Sequence, residues 1–170
     1  LLFSDLSNIM VLIIALSTLW MGVIGFIDDY LKIIIKAKDG MIARYKMIGQ
    51  ILLGVIISYA IINSNDFNGF NTKTTIPFFK NFEFDFGIFY PLLVILVITA
   101  TSNAVNLTDG LDGLAIGLLA ICFTVFTAIS YISGRVDFSD YLNILYLPKA
   151  SELSIFASAA VGACLGFLWF

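Results

Sequence analysis

Five stretches of the chain carry no charged residue and consist mainly of apolar side chains. Each reaches or approaches the roughly 17–25 residues that an α-helix needs to cross the hydrocarbon core of a bilayer. A buried soluble core would not need five such runs in succession, so the pattern predicts a polytopic helical membrane protein. The five runs are Leu6–Ile27, Met47–Asn65, Phe86–Thr108, Gly113–Gly134 and Leu153–Phe170.

The predicted fold class is therefore an all-α membrane protein, a bundle of transmembrane helices in a single integral membrane domain. Its spans are expected at about residues 8–27, 46–64, 87–105, 113–133 and 153–170. The loops between them cover residues 28–45 and 106–112 on one face of the membrane, and residues 65–86 and 134–152 on the other.

The composition agrees with a membrane protein and excludes other classes. Hydrophobic residues make up 60% of the chain and charged residues 12%, with a mean hydropathy of +1.00. A soluble domain carries about twice that charged fraction. The net charge of −3 indicates no nucleic-acid partner. Because the chain contains no histidine, a zinc site is not expected.

Basic residues give the orientation of the spans. Five of the nine Lys and Arg residues lie between the first two spans, and the other four are spread over two loops on the opposite face. The positive-inside rule places the loop richer in Lys and Arg in the cytoplasm. Counting crossings then brings Asp28-Asp29 and Asp109/Asp112 to the same cytoplasmic surface. The five basic residues are Lys32, Lys36, Lys38, Arg44 and Lys46.

The loop between the second and third spans ends with the alternating segment Phe82-Glu-Phe-Asp-Phe86. Alternation with a period of two favours a short strand or hairpin, and Pro77 would keep it out of a sheet interior. We therefore expect a short extracytoplasmic hairpin in this loop.

The first span ends in GFIDDYLK, in which Asp28 and Asp29 are followed by Lys32. Acids at a helix end can simply be solvated, which is the structural alternative to a functional role. Negative charge at a helix C-terminus is nevertheless unfavourable by a few tenths to about 1 kcal/mol, because it opposes the helix dipole. Two adjacent acids add to that cost, so we expect a cation to compensate them, either Lys32 or a metal ion.

A second polar cluster, NAVNLTDGLDGLA, begins at Asn103. Its two Asp-Gly steps favour a tight turn, and Asp112 can cap the helix that follows. A turn with a helix cap explains Asp112 and leaves four neighbouring polar residues without a structural reason. These four are Asn103, Asn106, Thr108 and Asp109.

Together these residues form the inventory of a site for a magnesium-bound diphosphate. Carboxylate and amide oxygens suit Mg²⁺, which holds few protein ligands and completes its octahedron with water and substrate phosphates. The neighbouring Lys32, Lys36 and Lys46 suit phosphate groups, and phosphoryl transfer needs mainly positioning and charge neutralisation. The chain has no Walker-type GxxxxGK[ST] and no Rossmann GxGxxG motif, so a soluble nucleotide-binding fold is not expected.

Four segments resemble, in the same order, the phospho-N-acetylmuramoyl-pentapeptide transferases of bacterial cell-wall synthesis: GFIDDYLK, KDGMIARYKMIGQ, NAVNLTDGLDGLA and VGACLGFLWF. That family belongs to the polyprenyl-phosphate N-acetylhexosamine-1-phosphate transferase superfamily. The resemblance covers most of the chain and is weakest in the two outer loops. It implies a multi-pass protein of the bacterial cytoplasmic membrane, with an active site on the cytoplasmic face and ten helices, of which the five here would be the third to seventh.

The resemblance also implies a reaction. Such enzymes use Mg²⁺ to move phospho-MurNAc-pentapeptide from UDP-MurNAc-pentapeptide to undecaprenyl phosphate, producing lipid I and UMP in peptidoglycan synthesis. These substrates and the lipid bilayer would be the partners, and homodimers are common in the family. Transferases of GlcNAc-1-phosphate share the DD and DGxDG elements and are the alternative within the superfamily, although Thr108 and the KDGMIARYKMIGQ loop look more like the muramoyl-pentapeptide branch.

By the same resemblance, Asp28 and Asp29 would be the catalytic acids and, with Asn106, the magnesium ligands. Either an acid of this pair deprotonates the lipid phosphate for direct attack, or an aspartate is the nucleophile and forms a phospho-enzyme. The substrate-binding residues would be Lys32, Lys46, Asn103, Asn106, Thr108, Asp109 and Asp112. The third essential aspartate and the histidine cluster of the family do not occur in these 170 residues, so we expect a longer protein and no catalysis by this stretch alone.

Two other functional classes predict different sequences. An ion-coupled transporter would place acids near the bilayer midplane and would show inverted repeats, and we find neither feature. A non-catalytic membrane scaffold would have no reason to collect Asn103, Asn106 and Asp109 at one loop.

Overall fold

A computed structural model of the chain describes residues 4–36, 40–67, 69, 71–75, 83–110 and 113–169. These residues form α-helices and one small antiparallel sheet. The helices are α1 (Ile9–Ile33), α2 (Ala43–Asn63), α3 (Tyr90–Thr108), α4 (Leu114–Ser133), α5 (Val136–Leu142) and α6 (Ser151–Trp169). The strands are β1 (Lys73–Thr75) and β2 (Glu83–Asp85).

Five of these helices, all except α5, are long and apolar enough to cross a membrane. This finding confirms the predicted bundle of transmembrane helices. Most of their large apolar side chains are exposed, as expected for surfaces that meet lipid. The buried residues of α4 and α6 are small, namely Ala115, Ala120 and Ala157, and small residues let membrane helices approach each other closely.

Two helices continue further than the sequence indicated, and both differences affect site residues. Helix α1 ends at Ile33 rather than at residue 27, and α3 ends at Thr108 rather than at residue 105. The helix continues past the predicted span boundary, and the ion pair between Asp28 and Lys32 across one helical turn favours this continuation. Asp28 and Asn106 therefore lie within helices and not in loops.

The loop between α2 and α3 contains the short hairpin that the alternating segment predicted, formed by β1 and β2. The Thr72 hydroxyl donates to Asp85 Oδ1 at 2.7 Å, and the Gly87 N–H donates to the same oxygen at 2.9 Å. Both bonds lower the pKa of the Asp85 carboxyl. Pro77 and Phe82, which entered the prediction, lie outside the described residues.

The beginning of α1 is held against the segment before α6. Asn8 caps α1, because its side-chain oxygen accepts the Met10 N–H at 2.9 Å, and its amide donates to the Lys149 carbonyl at 2.9 Å. Lys149 Nζ also pairs with Asp66 beyond the end of α2, at 2.8 Å. These contacts gather the ends of three helices on the hairpin side of the bundle.

Helix α2 packs against both α1 and α3, while α4 packs against α6. The contact between α2 and α3 is close at Gly54, where an added Cβ would lie 2.9 Å from the Ile95 Cα. Because a backbone atom of α3 occupies that space, only glycine fits without moving one helix.

We expect Gly54→Ala to lower the melting temperature of the full-length protein in detergent. Overpacking typically costs about 1–3 kcal/mol and outweighs the roughly 1 kcal/mol that alanine contributes to helix propensity. Gly22→Ala is the matched control, because a Cβ at Gly22 would meet nothing within 4 Å. That variant should melt at or above the wild-type temperature, and equal melting temperatures for both variants would contradict the close contact.

Candidate functional site at one end of the bundle

Two contacts show which helix ends lie together. The Trp20 indole N–H donates to the Gly49 carbonyl at 3.1 Å, joining α1 to the beginning of α2. The Gln50 amide donates to the Ser102 hydroxyl at 3.0 Å, joining the same part of α2 to the end of α3. The end of α1, the beginning of α2 and the end of α3 therefore share one end of the bundle, opposite the hairpin.

The centre of this site is the buried carboxylate of Asp28. Its Oδ2 accepts hydrogen bonds from Lys32 Nζ at 2.7 Å and Lys46 Nζ at 2.6 Å, and both are ion pairs. Lys32 belongs to α1 and Lys46 to α2, so the carboxylate links two helices. The sequence predicted that a cation, either Lys32 or a metal ion, compensates the acids of α1, and Asp28 pairs with Lys32 and also with Lys46.

The loop between α1 and α2 closes over the same carboxylate. Asp28 Oδ1 accepts the Met41 N–H at 2.8 Å. Gly40 adopts the left-handed conformation with φ +63, and a Cβ there would lie 2.6 Å from both Asp28 Oδ1 and Lys32 Cε. A side chain at position 40 would be strained and would also displace this contact, so glycine allows the loop to cover Asp28.

Asp29 has opposite surroundings to its neighbour. Asp28 is 5% exposed, whereas Asp29 is exposed on the surface of α1. The two adjacent acids, which the sequence assigned the same roles, therefore differ in access to a ligand. Lys36 follows α1 with an exposed side chain and a left-handed backbone.

Asn103 takes part in a bridge between α2 and α3. Its amide donates to Gln50 Oε1 at 3.3 Å and to the Thr99 carbonyl at 2.8 Å. Gln50 is buried and donates to Ser102 in turn. The amide nitrogen of Asn103 is thus engaged in joining the helices, and its side-chain oxygen is the atom left for a ligand.

The other residues of the second polar cluster lie at the end of α3. Asn106 is exposed, and the Thr108 hydroxyl donates to the Ala104 carbonyl of its own helix at 2.8 Å. Asp109 is exposed at the C-cap position. Among the described residues, no hydrogen bond or ion pair joins these three to the Asp28 cluster. Asp112, predicted to cap α4 and bind substrate, lies outside the described residues.

Gln50, Ser102 and the pair Gly40–Met41 are site residues that the sequence did not single out. Gln50 carried a usable signal, since it is an amide within an apolar span, where a buried polar group must find a partner. The roles of Gly40 and of the Met41 N–H carried no comparable signal, because they depend on how the loop folds over Asp28.

Magnesium fits only part of this inventory. Mg²⁺ is usually held by one or two carboxylates together with substrate phosphates. Asp29 and Asn106 offer exposed oxygens of the required type, whereas both oxygens of Asp28 already accept N–H donors. Within the part of the chain that the structure describes, no three carboxylate, thiol or imidazole groups meet at a point that could hold a metal. A magnesium ion here would take its remaining ligands from water and phosphate oxygens.

Comparison with known proteins gives a family match and relatives that align with nearly all of this chain. The family model for glycosyl transferase family 4 matches residues 11–170. The chain is 46% identical over 170 residues to a phospho-N-acetylmuramoyl-pentapeptide-transferase of Chloroherpeton thalassium and 48% identical over 170 residues to the protein of that name from Chlorobium phaeovibrioides. It is 49% identical over 158 residues to the one from Chlorobium phaeobacteroides.

These alignments cover 100%, 100% and 93% of the chain, respectively. They cover 46%, 46% and 43% of the three relatives. The chain therefore spans just under half the length of the curated relatives it matches.

We expect Ser102→Ala to destabilise the full-length protein in a thermal melt. The change removes the acceptor of the buried Gln50 amide, and leaving such a group unsatisfied costs about 1–3 kcal/mol. Thr101→Ala is the matched control, because the exposed Thr101 hydroxyl bonds only to carbonyls of its own helix. If the two variants have the same melting temperature, the bridge between α2 and α3 does not contribute to stability.

Proposed function

The chain belongs to glycosyl transferase family 4, and we propose that it acts in a membrane phospho-sugar transferase of peptidoglycan synthesis. The proposed reaction transfers phospho-MurNAc-pentapeptide from UDP-MurNAc-pentapeptide to undecaprenyl phosphate, giving lipid I and UMP. The name of the relatives, at 46% to 49% identity, supports the muramoyl-pentapeptide branch over transferases of GlcNAc-1-phosphate.

The observation that carries this proposal is the juxtaposition of paired lysines with an exposed acid at one end of the bundle. Lys32 and Lys46 converge on Asp28, and the exposed Asp29 is the next residue in the helix. Cations beside a free carboxylate suit a diphosphate that must be bound and attacked. A lipid-facing helix bundle suits a reaction partner that is itself a lipid.

In the proposed step, an oxygen of the lipid phosphate forms a bond to the phosphorus that carries the sugar. The bond from that phosphorus to the bridging oxygen breaks, and UMP leaves with the electron pair. A carboxylate of the Asp28–Asp29 pair either takes the proton of the lipid phosphate or attacks the phosphorus itself, in which case the lipid phosphate then displaces it. Trapping a phospho-aspartate in a single turnover distinguishes the two routes.

The remaining roles follow from chemistry and position. Lys32 and Lys46 would neutralise the diphosphate, and Asn103 and Asp109 would hold the nucleotide sugar. Bound Mg²⁺ would supply further charge neutralisation, with Asp29 and Asn106 as the described side chains able to hold it. The concentration of Lys and Arg around the α1–α2 loop supports a cytoplasmic position for this end of the bundle.

We expect Asp29→Asn to reduce UMP release from UDP-MurNAc-pentapeptide by at least about 100-fold in the full-length protein, because general acid–base groups typically contribute 10²–10⁴-fold. Asp137→Asn is the control, since Asp137 is an exposed acid of the short helix α5. It should leave turnover unchanged. Wild-type turnover in the Asp29→Asn variant would remove this residue from the chemistry.

We expect Asp109→Ala to act mainly on substrate binding. Loss of a hydrogen bond to a charged group is worth about 1.5–3 kcal/mol, so KM for the nucleotide sugar should rise roughly 10- to 100-fold with a smaller change in kcat. UMP-release assays with UDP-MurNAc-pentapeptide and UDP-GlcNAc in parallel measure both parameters. Preference for UDP-GlcNAc in the wild type would assign the protein to the GlcNAc-1-phosphate branch instead.

A further inference from the structure

The neighbouring acids Asp28 and Asp29 occupy different environments, which points to different tasks. The Asp28 side chain is 7% exposed and lies beneath the loop at Gly40 and Met41. Asp29, the next residue of the same helix, is exposed. If the two carboxylates shared a task, similar access to the ligand would be expected.

The hydrogen bonds of Asp28 leave little capacity for a metal or a proton. A carboxylate oxygen has two lone pairs, and on Oδ2 both are used by Lys32 and Lys46. Oδ1 accepts the Met41 N–H, and the Gly40 backbone lies so close that even a Cβ would not fit. Binding a metal at Asp28 would require displacing an ammonium group from it.

The two lysines retain capacity for a ligand. Each ammonium group has three donors and spends one on Asp28, which leaves two N–H groups on each nitrogen. The side chains of Lys32 and Lys46 are 46% and 24% exposed, respectively. With two ammonium groups and one carboxylate, the cluster carries a net charge of +1.

We propose that Asp28 is a positioning residue that fixes Lys32 and Lys46 as a paired phosphate-binding site, and that Asp29 is the carboxylate that contacts the reacting groups. The inference rests on the proposed function and divides the paired acids between two roles. The two ammonium groups repel each other and have mobile stems, so a shared carboxylate holds them in register before the ligand arrives. Such preorganisation lowers the entropic cost of binding.

A double-mutant cycle with UDP as the probe tests this role. UDP affinity is measured in EDTA for four full-length proteins: wild type, Asp28→Asn, Lys46→Met and the double variant. Each single change should weaken binding about tenfold, and the double variant should bind no more than about threefold weaker than the weaker single variant, because Asp28 acts through Lys46. The proposal would be overturned if the losses of UDP affinity in the two single variants multiplied in the double variant. It would also be overturned if Asp28→Asn bound UDP in EDTA as tightly as wild type but required more Mg²⁺.

Two further measurements keep the test independent of folding and of the proposed function. If Asp28→Asn lacks a cooperative melt, Asp28→Glu replaces it in the cycle with the same expected coupling. Acylation of Lys46 by acetic anhydride, followed by mass spectrometry, should be at least about threefold faster in Asp28→Asn than in wild type and unchanged in Asp29→Asn. Equal rates in Asp28→Asn and wild type would contradict the ion pair. A wild type that binds UDP and shows the rate difference, but releases no UMP from UDP-MurNAc-pentapeptide, would contradict only the proposed function.

Discussion

A carboxylate near the end of a membrane span must be neutralised, and in this chain the burial of Asp28 organises much of what surrounds it. A buried charge without a partner costs several kcal/mol, and Asp28 meets this constraint by accepting from two ammonium groups and one backbone amide. Because Lys46 belongs to α2, the neutralisation also fixes where α2 begins relative to α1. The hydrogen bond from Trp20 to Gly49, which lies about one turn after Lys46 in α2, holds the same pair of helices together.

Helix α2 carries this arrangement to the second polar cluster. Gln50 lies one turn after Lys46 and contacts Ser102 and Asn103 on α3. Asp28 of α1 and Asn103 of α3 are 75 residues apart in the sequence. Both are nevertheless positioned by neighbouring turns of α2. The site is therefore assembled around the beginning of α2, although no residue of α2 other than Lys46 was assigned to it from the sequence.

The parts of the fold that follow from local patterns in the sequence were predictable. The parts that depend on contacts between distant residues were not. Charge-free runs identified the five helices of the described residues that are long and apolar enough to span a membrane, and the alternating segment identified β2. Its partner β1 has only three residues and no comparable pattern. Apolar residues are distributed almost evenly around α2, so the sequence could not indicate which face meets α3 at Gly54 and Gln50. The difference in exposure between Asp28 and Asp29 likewise depends on how the loop folds over Asp28. Two adjacent and chemically identical residues give no sign of it in the sequence.

The central claim is that Asp28 holds two lysines, and that these lysines meet the diphosphate. The most direct measurement is an experimental structure of the full-length protein with UDP and Mg²⁺. We expect Asp28 to stay within hydrogen-bond distance of Lys32 and Lys46, and the ammonium groups of both lysines to contact phosphate oxygens. A metal ion coordinated by Asp28, with the lysines displaced from it, would contradict the positioning role of Asp28.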